Sequence, residues 1–178
     1  MTGAPERTVF RAVMSRWATG VSVVTVRDGA TDAGLTVNAF LSVSLSPPSV
    51  LVSLQDDVDT LPFLERSRAF AVNILAADQR AVSERFARTV PPAEKFRDLP
   101  FHRGTTGAAL IDGTLGAIEC RLLAVTPAFD HRLALGEVVE LEVGHDGPPL
   151  LFYRSGYAAL DGDDLLRLPP ARRPADRP

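Results

Sequence analysis

The chain has 178 residues, enough for one domain with a hydrophobic core of its own. Hydrophobic residues make up 46% of the chain and charged residues 23%, with a net charge of −3, which argues against a nucleic-acid or anionic-membrane partner. The first seven residues lack the apolar core of a signal peptide, and no run of about 18 apolar residues follows. We therefore expect a cytoplasmic protein.

The first third of the chain predicts one helix followed by strands. Apolar residues at helical spacing predict an amphipathic helix from Pro5 to Ala18, whose apolar stripe must pack against something. Val21 to Val26 and Leu35 to Ser44 are predicted to pair as a hairpin. The two prolines Pro47-Pro48 then interrupt the extended structure, and a third strand is predicted from Val50 to Leu54.

The rest of the chain predicts further strands with few helices. A helix is expected from Thr60 to Arg66, a strand from Ala69 to Leu75 and a helix from Asp78 to Ala87. Four later strands are expected at 115–125, 133–143, 150–153 and 157–160. This order predicts a mainly β domain over residues 1–160, an antiparallel barrel rather than a parallel α/β sheet. Residues 161–178, rich in proline and arginine, are predicted to be a flexible tail.

Common catalytic motifs are missing from the sequence. It contains neither a glycine-rich dinucleotide or phosphate loop, nor H-E-x-x-H, nor G-x-S-x-G. The three histidines stand far apart without metal-ligand spacing, so no metal site is predicted. The single cysteine, Cys120, is interpreted as a buried strand residue rather than a nucleophile.

Two segments instead resemble a known family. Residues 18–25 read A-T-G-V-S-V-V-T, and residues 36–48 read T-V-N-A-F-L-S-V-S-L-S-P-P. Further matches follow in the family's order at Phe70–Leu75, Arg85–Phe86, Ile118–Cys120, Asp130–His131, Leu135–Val138, Pro149–Tyr153 and Tyr157. Over residues 6 to 160, the chain resembles the flavin reductase-like family of FMN-binding split barrels.

The resemblance implies a fold, a reaction and partners. The implied fold is a mainly β, Greek-key split barrel that forms a homodimer. The implied enzyme is an NAD(P)H:flavin oxidoreductase, which passes hydride from nicotinamide C4 to flavin N5 and releases reduced FMN or FAD to a separate monooxygenase. The residues do not decide between FMN and FAD or between NADH and NADPH. A pyridoxamine-phosphate-oxidase-like flavoenzyme, and a flavin- or haem-binding carrier or sensor without turnover, stay open as alternatives.

Residues 36–40 carry groups suited to an isoalloxazine ring. The ring needs donors and acceptors at its pyrimidine edge and flat apolar cover elsewhere, which Asn38, the backbone of Thr36 to Ala39 and Phe40 can provide. Small residues such as Ala39 and Ser42 let the backbone approach the ring. The alternative interpretation of these polar residues is an edge strand with one face in water.

The resemblance also suggests where phosphate and nicotinamide bind. Hydroxyls and an arginine would hold the flavin phosphate, and Ser53, Thr60 and Arg85 occupy the matching positions. His131 is expected near the nicotinamide and is the one residue considered for a catalytic role. The complete expected cofactor-binding set is Thr36, Val37, Asn38, Ala39, Ser42, Ser53, Leu54, Asp59, Thr60, Arg85, Phe86, His131 and Tyr157.

The loop before the predicted second helix adds three carboxylates beside the expected phosphate contacts. These belong to Asp56, Asp57 and Asp59. They either accept hydrogen bonds from ribityl hydroxyls or point to solvent, and the sequence leaves this choice open.

Overall fold

The computed structural model describes residues 6–160, so the expected tail at 161–178 lies outside the described residues. Four helices and one short 3-10 helix (Ala77–Gln79) accompany twelve strands in this part of the chain. The helices are α1 (Arg7–Met14), α2 (Thr60–Ser67), α3 (Arg80–Phe86) and α4 (Pro92–Phe96). The strands are β1 (Thr19–Gly20), β2 (Ser22–Asp28), β3 (Thr31–Val37), β4 (Phe40–Leu45), β5 (Pro48–Gln55), β6 (Ala69–Ile74), β7 (Phe101–Arg103), β8 (Ala109–Ile111), β9 (Gly116–Ala128), β10 (His131–Val143), β11 (Leu150–Tyr153) and β12 (Gly156–Ala159). None of the helices between residues 6 and 160 is long and apolar enough to span a membrane.

Seven strands form one antiparallel sheet in the order β3-β2-β6-β9-β10-β5-β4. β3 and β4 occupy opposite edges of this sheet, yet only Asn38 and Ala39 separate them in the chain. The edges of a flat seven-stranded sheet lie about 29 Å apart, whereas a two-residue link spans at most about 11 Å. The sheet must therefore curl until its two edges meet at this link, which we call the seam.

The curled sheet encloses the main hydrophobic core. Val24, Val52, Phe70, Val72 and Leu122 come from four different strands and are buried together, and α2 closes one end of the core. Burial of each such side chain contributes about 1.5–3 kcal/mol to folding. The β-branched run of β2 is buried on both faces, because its alternate residues also pack against α3 and β11 in a second cluster.

Two smaller sheets flank this barrel-like body. One has the order β1-β11-β12, and the other is the β7-β8 hairpin. The loop of that hairpin is fixed by the buried carboxylate of Glu119 in β9, which accepts hydrogen bonds from the backbone N–H groups of Thr105 (2.9 Å) and Thr106 (2.6 Å). The loop is thereby tied to the central sheet.

The structure confirms the mainly β class and most expected elements, and it corrects two of them. The single strand expected from Leu35 to Ser44 is two strands, because the chain changes sheet edge at the seam. The first helix ends at Met14, since Thr19 already pairs with Phe152 in the β1–β11 ladder. The sequence analysis did not predict α4, which begins at Pro92, where the missing N–H of proline costs nothing.

The apolar stripe of α1 does not pack against the rest of the chain. Its members Val9, Phe10, Val13 and Met14 are exposed, and Trp17, just beyond the helix, is 70% exposed. The sequence predicted that this stripe must pack against something, and residues 6–160 of a single copy do not supply that partner. An apolar surface of this kind marks a site of association.

We predict that Gly136→Ala destabilises the fold. A Cβ at Gly136 of β10 would lie 2.5 Å from Cζ of Phe70 and 2.8 Å from Cβ of Cys120, so the core must shift. The free energy of unfolding should fall by about 1–3 kcal/mol, as measured by urea denaturation. Gly156→Ala is the matched control, because its Cβ would meet nothing closer than 3.7 Å. Equal losses in both variants would contradict close packing at Gly136.

Candidate functional site

A cleft of about 810 Å³ opens at the seam of the sheet. One wall comes from the link, β4, β5 and β10, and the other from the end of α1, β1, β2 and β6. Most of the lining is apolar, with a few polar side chains, which is typical of a pocket for a flat organic ligand. The lining residues are Met14, Trp17, Ala18, Thr19, Gly20, Ser22, Asn38, Ala39, Phe40, Leu41, Leu51, Ser53, Ile74 and Leu133.

Backbone hydrogen bonds on both sides hold the seam in place. Val37 pairs with Ser22 at the end of β3, and Phe40 pairs with Val52 at the start of β4. Between them, the carbonyl of Ala39 accepts a hydrogen bond from the backbone N–H of Ser53 (2.9 Å). The side chain of Asn38 is exposed at the cleft. Its amide is therefore presented to a ligand by a rigid backbone.

Thr19 adds a polar group that the sequence analysis did not assign to the site. Its hydroxyl oxygen is shielded from solvent, and it has no hydrogen-bond partner within residues 6–160. Leaving such a group unsatisfied costs about 1–3 kcal/mol. Beside it, a Cβ added to Gly20 would meet no atom within 4 Å, so the backbone surface is open there. The only sequence signal for Thr19 was its place in the matched A-T-G-V segment.

Asn38, Ala39 and Ser53 are the expected cofactor-binding residues that line the cleft. Ser42 lies exposed on β4 outside the lining, and Asp59 is exposed at the start of α2. Their assignment to the cofactor stays a prediction.

Several other expected residues point away from the cleft. The side chains of Val37, Leu54 and Phe86 lie in the hydrophobic core, so they can offer a ligand only their backbone. Thr60 is also buried, in the first turn of α2. The assignment of these four residues to the cofactor stays a prediction.

Thr36 and Tyr157 meet at a different place, on Ser83 of α3. The Thr36 hydroxyl donates to the Ser83 carbonyl (2.6 Å), and the Tyr157 hydroxyl shares a 2.8 Å hydrogen bond with the Ser83 hydroxyl. Arg85, two residues further along α3, donates to the carbonyl of Arg97 (2.9 Å). These contacts fix α3 against β3 and β12.

Lys95 reinforces the same packing. It is the only lysine of the chain, it is buried, and its ammonium donates to the carbonyls of Gly34 (3.0 Å) and Phe86 (3.3 Å). Burial lowers the pKa of Lys95, and the nearby charge of Asp59 opposes that shift. The ammonium thus joins α4 to β3 just before the seam, a role that the sequence alone did not reveal.

The Asp130–His131 pair lies at the rim of the cleft. His131 begins β10 and lies on the same sheet face as the cleft residue Leu133, because side chains two residues apart share a face. Its Nδ1 is 2.8 Å from the Asp130 carboxylate, and this hydrogen bond lowers the pKa of Asp130. Nearby, Asp56 forms an ion pair with Arg132 (2.9 Å). One of the three loop carboxylates is therefore neutralised.

Cys120 takes no part in this site. It is fully buried, as the sequence predicted, and burial together with the charge of Glu119 raises the pKa of its thiol to about 12. A thiolate nucleophile is thereby excluded at neutral pH.

The residues of the cleft fit an isoalloxazine ring. Trp17, Ile74 and Leu133 supply flat or branched apolar surface for the ring faces. Asn38 and Ser53 on one wall, and the unsatisfied Thr19 hydroxyl on the other, supply hydrogen-bonding groups for a polar ring edge. A flavin would be held here by side chains from both walls.

Comparison with known proteins identifies the family. The sequence model of the flavin reductase like domain matches residues 14–161. The reductase component of 4-hydroxyphenylacetate 3-monooxygenase from Thermus thermophilus is 39% identical over 155 residues, covering 85% of this chain and 95% of that protein. A flavin reductase from Pseudomonas putida is 38% identical over 152 residues, covering 85% and 88% of the two chains.

A solved structure agrees with this assignment. The NADH:FAD oxidoreductase SgcE6 of Streptomyces globisporus, in complex with NAD and FAD fragments, superposes with a TM-score of 0.83 at 32% identity. The match covers 92% of this chain and 98% of that one. The chain therefore belongs to the flavin reductase-like domain family.

Proposed function

We propose that this chain is an NAD(P)H:flavin oxidoreductase that supplies reduced FMN or FAD to a separate flavin-dependent monooxygenase. The observation that carries the proposal is the apolar cleft at the seam, where Asn38, Ala39 and Ser53 present polar groups to a flat ligand. The relative from Thermus thermophilus is itself named as a reductase component. An enzyme that works with reduced nicotinamide belongs in the cytoplasm, which we propose as its location.

The chemistry of the cleft suits hydride transfer. A bound flavin supplies N5 as the hydride acceptor for C4 of a reduced nicotinamide. None of the residues that line the cleft in the described part of the chain has an ionisable side chain. Such a lining offers no general acid or base, but it excludes water and aligns two flat rings, which is what hydride transfer requires.

The residues of the two walls take complementary roles. The Asn38 amide both donates and accepts hydrogen bonds, so it matches the mixed donors and acceptors of the flavin pyrimidine edge. Ser53 and Thr19 supply hydroxyl groups from opposite walls. His131 at the rim, hydrogen-bonded to Asp130, lies beside the entrance through which nicotinamide would arrive. We propose that it orients the nicotinamide.

We further propose a homodimer of Greek-key split barrels. Met14 and Trp17 end the exposed apolar stripe of α1, and Leu41 begins an exposed apolar row on β4 that continues through Val43 and Leu45. Met14, Trp17 and Leu41 also line the cleft. A second copy seated on the stripe and the row would bury both and would cover the cleft from solvent.

The proposed reaction is tested directly by NADH and NADPH oxidation, followed at 340 nm with added FMN, FAD or riboflavin. We expect flavin-dependent consumption of one or both nicotinamides. Asn38→Leu should lower kcat/KM for the flavin roughly tenfold, because an apolar side chain of similar size cannot pair with the ring edge. Thr31→Val, on an exposed strand position away from the cleft, is the control. Flavin binding without nicotinamide oxidation would instead support the carrier alternative.

Replacement of Thr19 should change stability and affinity in opposite directions. Thr19→Val keeps the shape but removes the unsatisfied hydroxyl, so the melting temperature of the flavin-free protein should rise. Flavin affinity, measured by fluorescence quenching, should fall about fivefold because the ligand loses one hydrogen bond. Thr19→Ser keeps the hydroxyl and should retain wild-type affinity. A lower melting temperature for Thr19→Val would show that the hydroxyl already has a partner in the free protein.

The proposed dimer is tested on α1. Val13→Glu places a charge in the apolar stripe, and light scattering should then show a shift from twice the mass of one chain toward a single copy. Ala12→Glu adds the same charge on the other side of α1, where it should leave the dimer intact. A monomeric wild-type protein would refute the dimer without affecting the proposed reaction.

A further inference from the structure

Asp56 lies at the place where β5 ends and β10 begins. It directly follows Gln55, the last residue of β5, which pairs with His131, the first residue of β10. The backbone N–H of Asp56 donates to the carbonyl of Asp130 (3.2 Å). This hydrogen bond extends the contact between the two segments by one residue beyond the strand ladder.

The side chain of Asp56 makes a second contact with the same segment. Its Oδ1 forms an ion pair with Nε of Arg132 (2.9 Å). Asp56 therefore binds the residue before His131 through its backbone and the residue after His131 through its side chain. Because side chains alternate between the two faces of a strand, Arg132 projects to the face opposite His131. The ion pair thus leaves the cleft side of His131 free.

Stability alone does not account for a carboxylate at position 56. The side chains of Arg132 and Asp56 are 33% and 38% exposed, and ion pairs with this degree of exposure contribute little to folding. A nicotinamide dinucleotide carries two phosphates, so a carboxylate beside the rim of the cleft repels it unless a cation neutralises that carboxylate. Asp56 is therefore explained better by what it does to its neighbours than by its own charge.

We propose that Asp56 is a positioning residue for His131 in the reaction with the reduced nicotinamide. The inference rests on the proposed function, in which His131 orients the nicotinamide at the rim. Asp56 fixes the chain on both sides of His131, while Asp130 holds the imidazole through Nδ1 (2.8 Å). A side chain that orients a ligand must itself be held in place, and these contacts supply that restraint.

The test begins with Asp56→Asn, which removes the charge but keeps the size of the side chain and the backbone N–H. The nucleotide is NADH or NADPH, whichever the wild-type protein oxidises faster, at saturating flavin. Its kcat/KM should fall about threefold, the loss expected for one partly exposed ion pair. The change should appear in KM rather than kcat, because the restraint acts on nucleotide binding. The KM for the flavin should stay unchanged.

Two further variants of the same loop serve as rescue and control. Asp56→Glu keeps a carboxylate within reach of the flexible Arg132 side chain and should retain the wild-type kcat/KM. Asp57 is exposed, has the same charge and forms no ion pair within residues 6–160. Asp57→Asn only weakens the repulsion of the anionic nucleotide, so it should not lower kcat/KM. The loss of a charge as such therefore has the opposite sign from the effect expected for Asp56→Asn.

A double-mutant cycle measures whether Asp56 acts through His131. His131→Ala alone should lower kcat/KM for the nucleotide about tenfold, because one hydrogen bond to the ligand is lost. In the His131→Ala background, Asp56→Asn should cause no further loss, since no imidazole is left to position.

Three outcomes would overturn the assignment: an unchanged kcat/KM in Asp56→Asn, an equal fall in Asp57→Asn, or additive losses for Asp56→Asn and His131→Ala. Failure of the proposed function is recognised separately, because the wild-type protein would then oxidise neither NADH nor NADPH with any flavin.

Discussion

The two-residue link between β3 and β4 is the constraint on which the rest of the structure depends. Because β3 and β4 belong to opposite edges of one sheet, Asn38 and Ala39 can join them only if the sheet curls. The same curl encloses the core around Phe70 and brings the β1–β2 region opposite β4 and β5. The cleft is therefore a consequence of closing the sheet, and the residues of the link line it by necessity.

The distribution of charge in this flavin reductase follows from the reaction. Hydride transfer between two rings depends on their distance and orientation, and it requires no proton at the reacting atoms. Ionisable groups stay out of the cleft lining and collect at the rim, where Asp130 meets His131 and Asp56 meets Arg132. Buried Lys95 is used for packing, since its ammonium joins α4 to β3 through the carbonyl of Gly34 and to α3 through the carbonyl of Phe86.

Features that depend on local sequence were predictable, and features that depend on distant partners were not. The β-branched run of β2 predicted its strand correctly, because burial on both faces leaves a continuous apolar sequence. Asn38, which lines the cleft, could be named as a candidate ligand-binding residue because it lies in a segment rich in small polar side chains. The break at the seam was missed, because a strand that changes its pairing partner keeps the same period of two. The unsatisfied hydroxyl of Thr19 depends on β-sheet contacts far away in the chain, and no local pattern reports it.

Two disagreements between local rules and structure occur at the cleft itself, and a third occurs in the turn that leads into β10. The apolar end of α1 is uncovered, Thr19 lacks a partner, and Phe129 adopts a glycine-like conformation. Away from the cleft, Glu119 satisfies the backbone N–H groups of the β7–β8 loop. A protein tolerates unsatisfied and strained groups where binding a ligand or a second subunit satisfies them. The uncovered end of α1 and the unsatisfied Thr19 hydroxyl, both at the cleft, are therefore an argument for function that is independent of any sequence motif.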